Sequence, residues 1–428
     1  MKYIIATLGC KVNQYESEAM DQILRSHGHE SVEAGQVADA ILVNSCAVTA
    51  EGARKVRQTV RRLQKEHPGA IAAVCGCWSQ VEPEAAASLG ADVLFGTGDR
   101  QGFVRAVEAM AAEKSGPVRQ LDNPFRRESF EELPAGAYEG HTRAYLKIQD
   151  GCDNFCSYCI IPFARGRVLS LSKERCAAGA KSLAEAGYRE IVVTGIEIAS
   201  WGKDLKQGET LIDAMEAIAA AAPEVRLHLG SLEPTIISGD FVQRLSRLNV
   251  CRHFHLSLQS GCSETLARMR RKYDADGFYR AVERLREAFP GCALTADLIC
   301  GFPGETEEEF EATLAFLETC AFSAVHVFPY SIRPGTRAAE MPGQLEKAEK
   351  ARRTRRAQAV AKKTGKAYLA SCVGQILPVL FEREQDGVCT GHGDNYAEVS
   401  VSGEALRGLV KNVKITGIQG EMLVGVCV

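Results

Sequence analysis

The sequence predicts an α/β protein with a doubly wound N-terminal domain, a partial (β/α)6 barrel and a small C-terminal antiparallel β-barrel. Three observations carry this. Apolar runs alternate with helical patterns as far as Glu113; six further strand–helix units lie between Ala144 and Phe328; and past Ser371 the pattern turns to short alternating strands. A length of 428 residues suits two or three domains. The expected parts are residues 1–125, 138–340, a basic linker helix at 341–370, and 371–428.

In the first part, strands are expected at Tyr3–Leu8, Ala40–Val43, Ile71–Val74 and Val93–Phe95. Helices are expected at Tyr15–His27, Ala50–Glu66, near Pro83–Leu89, and Gly102–Glu113. Right-handed crossovers put every strand's C-terminal end on one edge of a parallel sheet. Ligands of open α/β sheets gather at that edge. Cys10 follows the first strand in Gly9-Cys10-Lys11-Val12-Asn13. Cys46 follows the second in Asn44-Ser45-Cys46-Ala47-Val48-Thr49. Cys77 follows the third in Gly76-Cys77-Trp78-Ser79-Gln80. Three thiols so placed form either a three-ligand cluster site or three buried structural cysteines. Cys75 competes with Cys77 for the third place, but Cys75 still lies in the strand pattern and Gly76 begins the turn.

In the second part, strands are expected at Ala144–Ile148, Glu190–Thr194, Arg226–Leu229, His253–Leu258, Leu294–Ile299 and Ala324–Phe328. Helices fall between them at Ser172–Ala186, Thr210–Ala221, Gly239–Leu248, Ala275–Phe289 and Thr306–Thr319. Six units make an incomplete parallel barrel, with its site at the C-terminal mouth. The loop after its first strand holds Cys152, Cys156 and Cys159 at i, i+4 and i+7. With 16 cysteines in the chain, a given three-cysteine spacing should arise by chance roughly 0.02 times per chain, so the trio reads as a site. Zinc would want a fourth ligand close by, and none follows until Cys176, in a helical segment. Three thiolates leave one iron of a four-iron cube open to another molecule. Other strand ends point to the same mouth: Thr194, Gly195 and Glu197, then Glu233, then Ser257 and Gln259, then Asp297 and the turn Gly301–Thr306. Taken singly, Glu197 and Glu233 would be solvated or capping residues. Beside a three-thiol loop they become cofactor-binding candidates.

A long helix from Gln344 to Ser371 carries Lys347, Lys350, Arg352, Arg353, Arg355, Arg356, Lys362, Lys363 and Lys366. It is either a solvated face or a phosphate-attracting block. Strands at Gln375–Glu382, Gly387–Thr390, Ala397–Val401, Gly408–Gly417 and Met422–Val426 suggest a small barrel of the nucleic-acid-binding kind. Arg383, Tyr396, Arg407, Lys411 and Lys414 are its candidate contacts.

The net charge of −3 carries no global nucleic-acid signature, so RNA contact would need a local patch. The apolar start Tyr3–Leu8 is too short for a secretory signal, and no apolar run approaches membrane-spanning length. A cytoplasmic location with reduced, metal-binding thiols is expected. Cys251, Cys262, Cys292, Cys300, Cys320, Cys372, Cys389 and Cys427 match no ligand spacing and read as buried or incidental.

The loop Gly-Cys-Asp-Asn-Phe-Cys-Ser-Tyr-Cys at 151–159 resembles the radical S-adenosylmethionine signature. Gly-Cys-Lys-Val-Asn, Asn-Ser-Cys-Ala-Val-Thr and Gly-Cys-Trp-Ser-Gln in the first part, with Leu-Gln-Ser-Gly and Gly-Phe-Pro-Gly-Glu-Thr in the second, extend the likeness over essentially the whole chain. It is to the methylthiotransferases of that superfamily. The tail resembles the TRAM domain, an RNA-binding barrel. The resemblance implies two [4Fe-4S] clusters, one on Cys152, Cys156 and Cys159 that binds S-adenosylmethionine, and an auxiliary one on Cys10, Cys46 and Cys77. In such enzymes the first yields a 5′-deoxyadenosyl radical, the second carries or donates sulfur, and a second S-adenosylmethionine supplies the methyl group. Thr7-Leu8-Gly9-Cys10-Lys11-Val12-Asn13-Gln14-Tyr15-Glu16-Ser17 looks most like the branch acting on threonylcarbamoyladenosine of tRNA, beside the anticodon. The other branches take isopentenyladenosine of tRNA or an aspartate of a ribosomal protein. Trp78 and Trp201 stand where the resemblance leads one to expect tyrosine. A tRNA substrate, an electron donor of the flavodoxin or ferredoxin kind, no membrane and a monomer are the implied partners and state.

Overall fold

Six parallel strands form the first layer of the computed structural model, which describes residues 1–33, 35–113, 116–134 and 142–428. The expected start of the second part at 138 lies outside the described residues. The chain runs β1 (Lys2–Thr7), α1 (Lys11–Ser26), β2 (Glu30–Ser31), β3 (Ala40–Ser45), α2 (Ala50–Glu66), β4 (Ile71–Gly76), α3 (Cys77–Val81), α4 (Pro83–Ala87), β5 (Val93–Phe95), α5 (Arg100–Glu113) and β6 (Val118–Gln120). The strand order is β2-β1-β3-β4-β5-β6, so the chain reverses direction across the sheet between β1 and β3. Met20 and Leu24 of α1 and Phe103 and Val107 of α5 cover one face, against Tyr3, Leu42, Ala73 and Phe95. Val56 and Val60 of α2, with Trp78 and Ala86, cover the other, against Ile41, Val43 and Val74. Strands β3, β4 and β5 alternate their buried side chains between the two cores, which is why they read as unbroken apolar runs. The edge strands β2 and β6 span two and three residues and carry too little pattern to be expected.

The second part runs β7 (Arg143–Asp150), α6 (Ile161–Arg165), β8 (Leu169–Ser170), α7 (Lys173–Glu185), β9 (Glu190–Gly195), α8 (Leu211–Ala221), β10 (Arg226–Leu229), α9 (Gly239–Leu245), β11 (His253–Gln259), α10 (Ser263–Arg268), α11 (Ala275–Ala288), β12 (Ala293–Cys300), α12 (Glu307–Cys320) and β13 (Ala324–Pro329). Strands β7, β9 and β10 pair in parallel, as do β11, β12 and β13. Single bridges at Leu227–Val250 and Leu232–Leu256 link the two sets into an open six-stranded arc. The short β8 adds an antiparallel edge to β7.

Helix α13 (Lys347–Cys372) leads to β14 (Ile376–Gln385), β15 (Val388–Gly393), β16 (Glu398–Ser402), β17 (Val410–Gln419) and β18 (Met422–Cys427). These close in the order β14-β15-β16-β18-β17 around Leu377, Val379, Phe381, Val399 and Val413. The pairs are antiparallel except β16–β18, which is parallel. The basic run of α13 is largely spent within the chain. Arg352 and Arg356 pair with Glu307, Arg353 with Glu305, and Lys363 with Glu318. These pairs clamp the helix to α12 and the turn before it, and the phosphate-attracting reading loses four of its nine charges.

A buried ion cluster joins the first part to the second. Glu16 of α1 accepts from Arg100 (2.9 Å), from Arg165 (2.5 and 3.1 Å) and from Lys147 (3.2 Å), and Glu16, Arg100 and Arg165 have side chains with no exposure. Burial alone would raise the Glu16 carboxyl, but Arg100, Arg165 and Lys147 outweigh it and hold the group well below the carboxylate range. Removing one partner of a buried charge set strands the others. Glu16→Gln should therefore destabilise the protein by about 3–5 kcal/mol. Because the folded carboxyl is depressed, the stabilisation is complete above about pH 4.5 and lost as the pH falls below it. Thermal unfolding of the two proteins should thus diverge at neutral pH and converge in acid.

Candidate active site

The loop after β7 is held by backbone geometry that its residues dictate. Gly151 has φ +69°, and a Cβ there would meet the Arg167 carbonyl oxygen at 1.8 Å. The chain therefore turns there on glycine alone. Cys156 is buried, and Cys152 and Cys159 are half-buried. Each sulfur receives one donor: Asn154 N to Cys152 Sγ (3.5 Å), Arg271 Nη1 to Cys156 Sγ (3.0 Å) and Ile161 N to Cys159 Sγ (3.4 Å). Burial, and then the neighbouring Cys156, pushes the Cys159 thiol up to about 12. Burial raises Cys152 too, with Glu197, Cys159 and Cys156 adding to it. Thiols that crowd and desolvate one another while drawing N–H donors suit a shared cationic cluster.

Cys10, Cys46 and Cys77 stand at the C-terminal ends of β1, β3 and β4, three adjacent strands at the point where the strand order reverses. Cys10 caps α1, and Cys77 opens α3. Burial pushes Cys46 up to about 12, with Cys77 and Cys10 adding to it. Cys77 is raised by burial, relieved by Arg165 and raised again by Cys10. Cys75 packs into the opposite core, with Phe95 and Phe103, so Cys77 is the thiol that joins Cys10 and Cys46. Helix α6 begins two residues after Cys159, and its Arg165 donates from Nε to Cys77 Sγ at 3.3 Å. Cys77 in turn adds to the pKa of Cys159. The two trios thus face each other across one short helix.

Beside Cys152 the polar residues converge. Asn154 Nδ2 donates to Glu233 Oε2 (3.0 Å) and Glu197 Oε2 (3.5 Å). Gln149 accepts from Glu197 N (2.7 Å) and donates to the Gly151 carbonyl (2.8 Å), tying Glu197 to the cysteine loop. Burial, with Glu233 nearby, raises the Glu197 carboxyl to about 7. Glu197 Oε1 and Arg271 Nη2 are buried without a hydrogen bond, and that Nη2 lies 3.5 Å from Glu233. An acceptor and a donor left open next to a thiol trio fit a ligand bearing both ammonium or hydroxyl donors and a carboxylate, as S-adenosylmethionine does. Ser257 and Gln259 close β11; the Ser257 carbonyl accepts from Tyr273, whose hydroxyl in turn accepts from Arg271 Nε (3.0 Å). Arg271 was not visible in the sequence: it sits in the run Arg270-Arg271-Lys272, which reads as a solvated basic turn.

Thr194 and Gly195 line a cavity of about 800 Å³ inside the open barrel, together with Cys10, Lys11, Val12, His255, Thr295, Asp297, His326 and Phe328. Tyr396 of the C-terminal barrel closes its far end, stacked on His253 (ring centroids 4.9 Å). Tyr396 is thus committed to the interface with the barrel. Trp78 and Trp201 are both fully buried packing residues. Among the described residues, Glu190, His228 and Cys251 form a trio within single-ion reach, but Arg226 and His253 already engage that carboxylate and imidazole.

Residues 146–317 match the model of the radical S-adenosylmethionine superfamily, and residues 2–96 match an uncharacterized protein family, UPF0004. Fold and site therefore define a radical S-adenosylmethionine protein, a class whose members carry a [4Fe-4S] cluster and use S-adenosylmethionine. The chain is 38% identical to the threonylcarbamoyladenosine tRNA methylthiotransferase MtaB of Bacillus subtilis over 96% of this chain and 92% of that one. It is 34% identical to MtaB of Thermotoga maritima (97% and 95%) and to the tRNA-2-methylthio-N(6)-dimethylallyladenosine synthase of Jannaschia sp. (99% and 93%). It belongs to the radical S-adenosylmethionine methylthiotransferase family. In fold it is similar to TsrM, a radical S-adenosylmethionine methyltransferase from Kitasatospora setae (TM-score 0.57, 16% identity, 91% of this chain and 80% of that one). No helix among the described residues is long and apolar enough to cross a membrane.

Arg271 touches both a cluster-side thiol and the Glu233 carboxylate. Arg271→Gln should weaken S-adenosylmethionine binding by about tenfold, the loss of one charge-assisted contact. Equilibrium binding to anaerobically reconstituted protein measures this; unchanged affinity would remove Arg271 from the site.

Proposed function

We propose that this chain adds a methylthio group to C2 of N6-threonylcarbamoyladenosine beside the anticodon of tRNA. The observation that carries the reading is the pairing of two thiol trios across α6, both bordering one barrel. The full-length similarity to two threonylcarbamoyladenosine methylthiotransferases supports the substrate. Cys152, Cys156 and Cys159 would hold one [4Fe-4S] cluster and Cys10, Cys46 and Cys77 a second. When bound, these clusters and S-adenosylmethionine supply radical formation, sulfur and methyl.

The chain's own residues do the positioning. Arg271 and the Asn154 and Ile161 amides donate to one sulfur set, and Arg165 donates to the other. Glu197 and Glu233, joined by Asn154, present acceptors for S-adenosylmethionine, with Thr194 and Gly195 at the cavity wall and Ser257 and Gln259 closing β11 beside Arg271. In this reading residues 1–125 carry the auxiliary cluster, 138–340 the radical site, 341–370 the linker and 371–428 an RNA-binding barrel. A flavodoxin- or ferredoxin-like protein supplies electrons, and the enzyme works as a cytoplasmic monomer.

Nucleoside mass spectrometry of tRNA from a host lacking the activity tests this. Wild-type protein should add the methylthio mass to threonylcarbamoyladenosine. The same mass on isopentenyladenosine would correct the substrate, and no change in tRNA would overturn it. Cys156→Ala should abolish S-adenosylmethionine cleavage, whereas Cys46→Ala should cleave without inserting sulfur. Equal loss of cleavage in both, with the remaining cluster intact, would refute the division of roles.

Lys411 and Lys414 are exposed on β17. Replacing each with Gln should reduce the slope of log affinity for tRNA against log salt by about 1. Arg353→Gln, which cuts a buried pair with Glu305, should lower thermal stability and leave that slope unchanged.

A further inference from the structure

The cavity contains one charge that the fold does not use. Lys11 is the first residue of α1, and its first turn holds no acidic side chain. A cation there opposes the helix dipole. Lys11 is half-buried and lines the cavity, and among the described residues its ammonium makes no hydrogen bond or ion pair. The other ionisable groups along that wall are engaged. Asp297 pairs with His255 (3.2 Å), and His253 and His255 both meet Thr295 Oγ1 (2.9 Å each). His326 stands with its ring 5.7 Å from His255. Apolar surface from Val12 and Phe328 completes the wall. A cavity with one uncommitted cation, an imidazole strip and an apolar side suits a flat ring that bears an anionic arm. An isopentenyl arm would leave the lysine buried and unpaired.

Position along the chain orients such a ligand. Lys11 directly follows Cys10, so its ammonium lies within a side chain's length of the auxiliary thiols. In a base whose C2 faces those thiols only N1 separates C2 from the carbon that bears N6, so an arm on N6 stays within reach of Lys11, the residue beside Cys10.

We propose that Lys11 is the residue that selects the substrate, its ammonium pairing with the carboxylate of the threonylcarbamoyl arm. This assignment rests on the substrate reading above. The test uses the full chain, anaerobically reconstituted, and anticodon stem-loop RNAs carrying threonylcarbamoyladenosine, its methyl ester or isopentenyladenosine. Wild-type enzyme should prefer the acid over the ester by about tenfold or more in kcat/KM, the worth of one charge-assisted contact. Lys11→Gln should bring the acid down to the level of the ester, chiefly through KM, and Lys11→Arg should keep most of the preference. Acid turnover by wild type with no preference over the ester would overturn the assignment while leaving the substrate reading intact. A preference retained in Lys11→Gln would do the same. Turnover of isopentenyladenosine alone would overturn both. Because Lys11 adjoins Cys10, iron content is measured for each variant; should Lys11→Gln lose its iron, the wild-type comparison of acid with ester decides.

Discussion

The Glu16 carboxylate is the point on which the arrangement depends. It is fully buried and pairs with three cations from two parts of the chain, Arg100 of the first layer and Lys147 and Arg165 of the barrel. Each part holds a pair of its own, Glu16 with Arg100 and Asp150 with Lys147 and Arg165, and the contacts from Glu16 to Lys147 and Arg165 join the two where an unpaired charge would cost several kcal/mol. Together they hold α1 against β7 and α6, and the thiol edges of the two parts are brought face to face as a consequence. Asp150 extends the set by pairing with Lys147 and Arg165, so the strand that leads into the Cys152–Cys159 loop is held by the same charges.

Arg165 links structure to chemistry most directly. It lies six residues past Cys159, is buried, and spends its guanidinium on Glu16, Asp150 and Cys77. One planar group thereby couples the ion cluster, the end of β7 and the auxiliary thiols, which a lysine with a single ammonium would not span. The opposite trio has its counterpart in Arg271, shared between Cys156 and the Tyr273 hydroxyl. Each thiol set thus receives one buried guanidinium, from residues far apart in sequence.

At the far side the small barrel closes the cavity as well as appending a surface. Arg143 pairs with Glu382, Arg252 with Asp394, and Tyr396 stacks on His253. The basic helix that precedes it is pinned through Arg352, Arg353, Arg356 and Lys363 by acids of α12 and its leading turn, so part of the charge that looked free in one dimension is neutralised in three. Lys411 and Lys414, by contrast, remain exposed on β17.

Much of this was legible in one dimension because the signals are local. Hydrophobic period and turns such as the one at Gly76 are set by neighbours a few residues away, and the six principal barrel strands lie within two residues of where the pattern puts them. The places of the six cysteines were legible for the same reason, three at strand ends and three in one tight loop. The sequence alone also placed the turn at Gly76, while tertiary structure decided that Cys75 points into the other core. Arg271, Arg165 and the open ammonium of Lys11 stayed hidden, because a basic residue looks the same in one dimension whether it is solvated or buried. Only packing decides that: a charge becomes a site when the fold removes its water and sets what faces it, as when Arg165 meets Glu16 from 149 residues away and Arg271 meets Cys156 from 115.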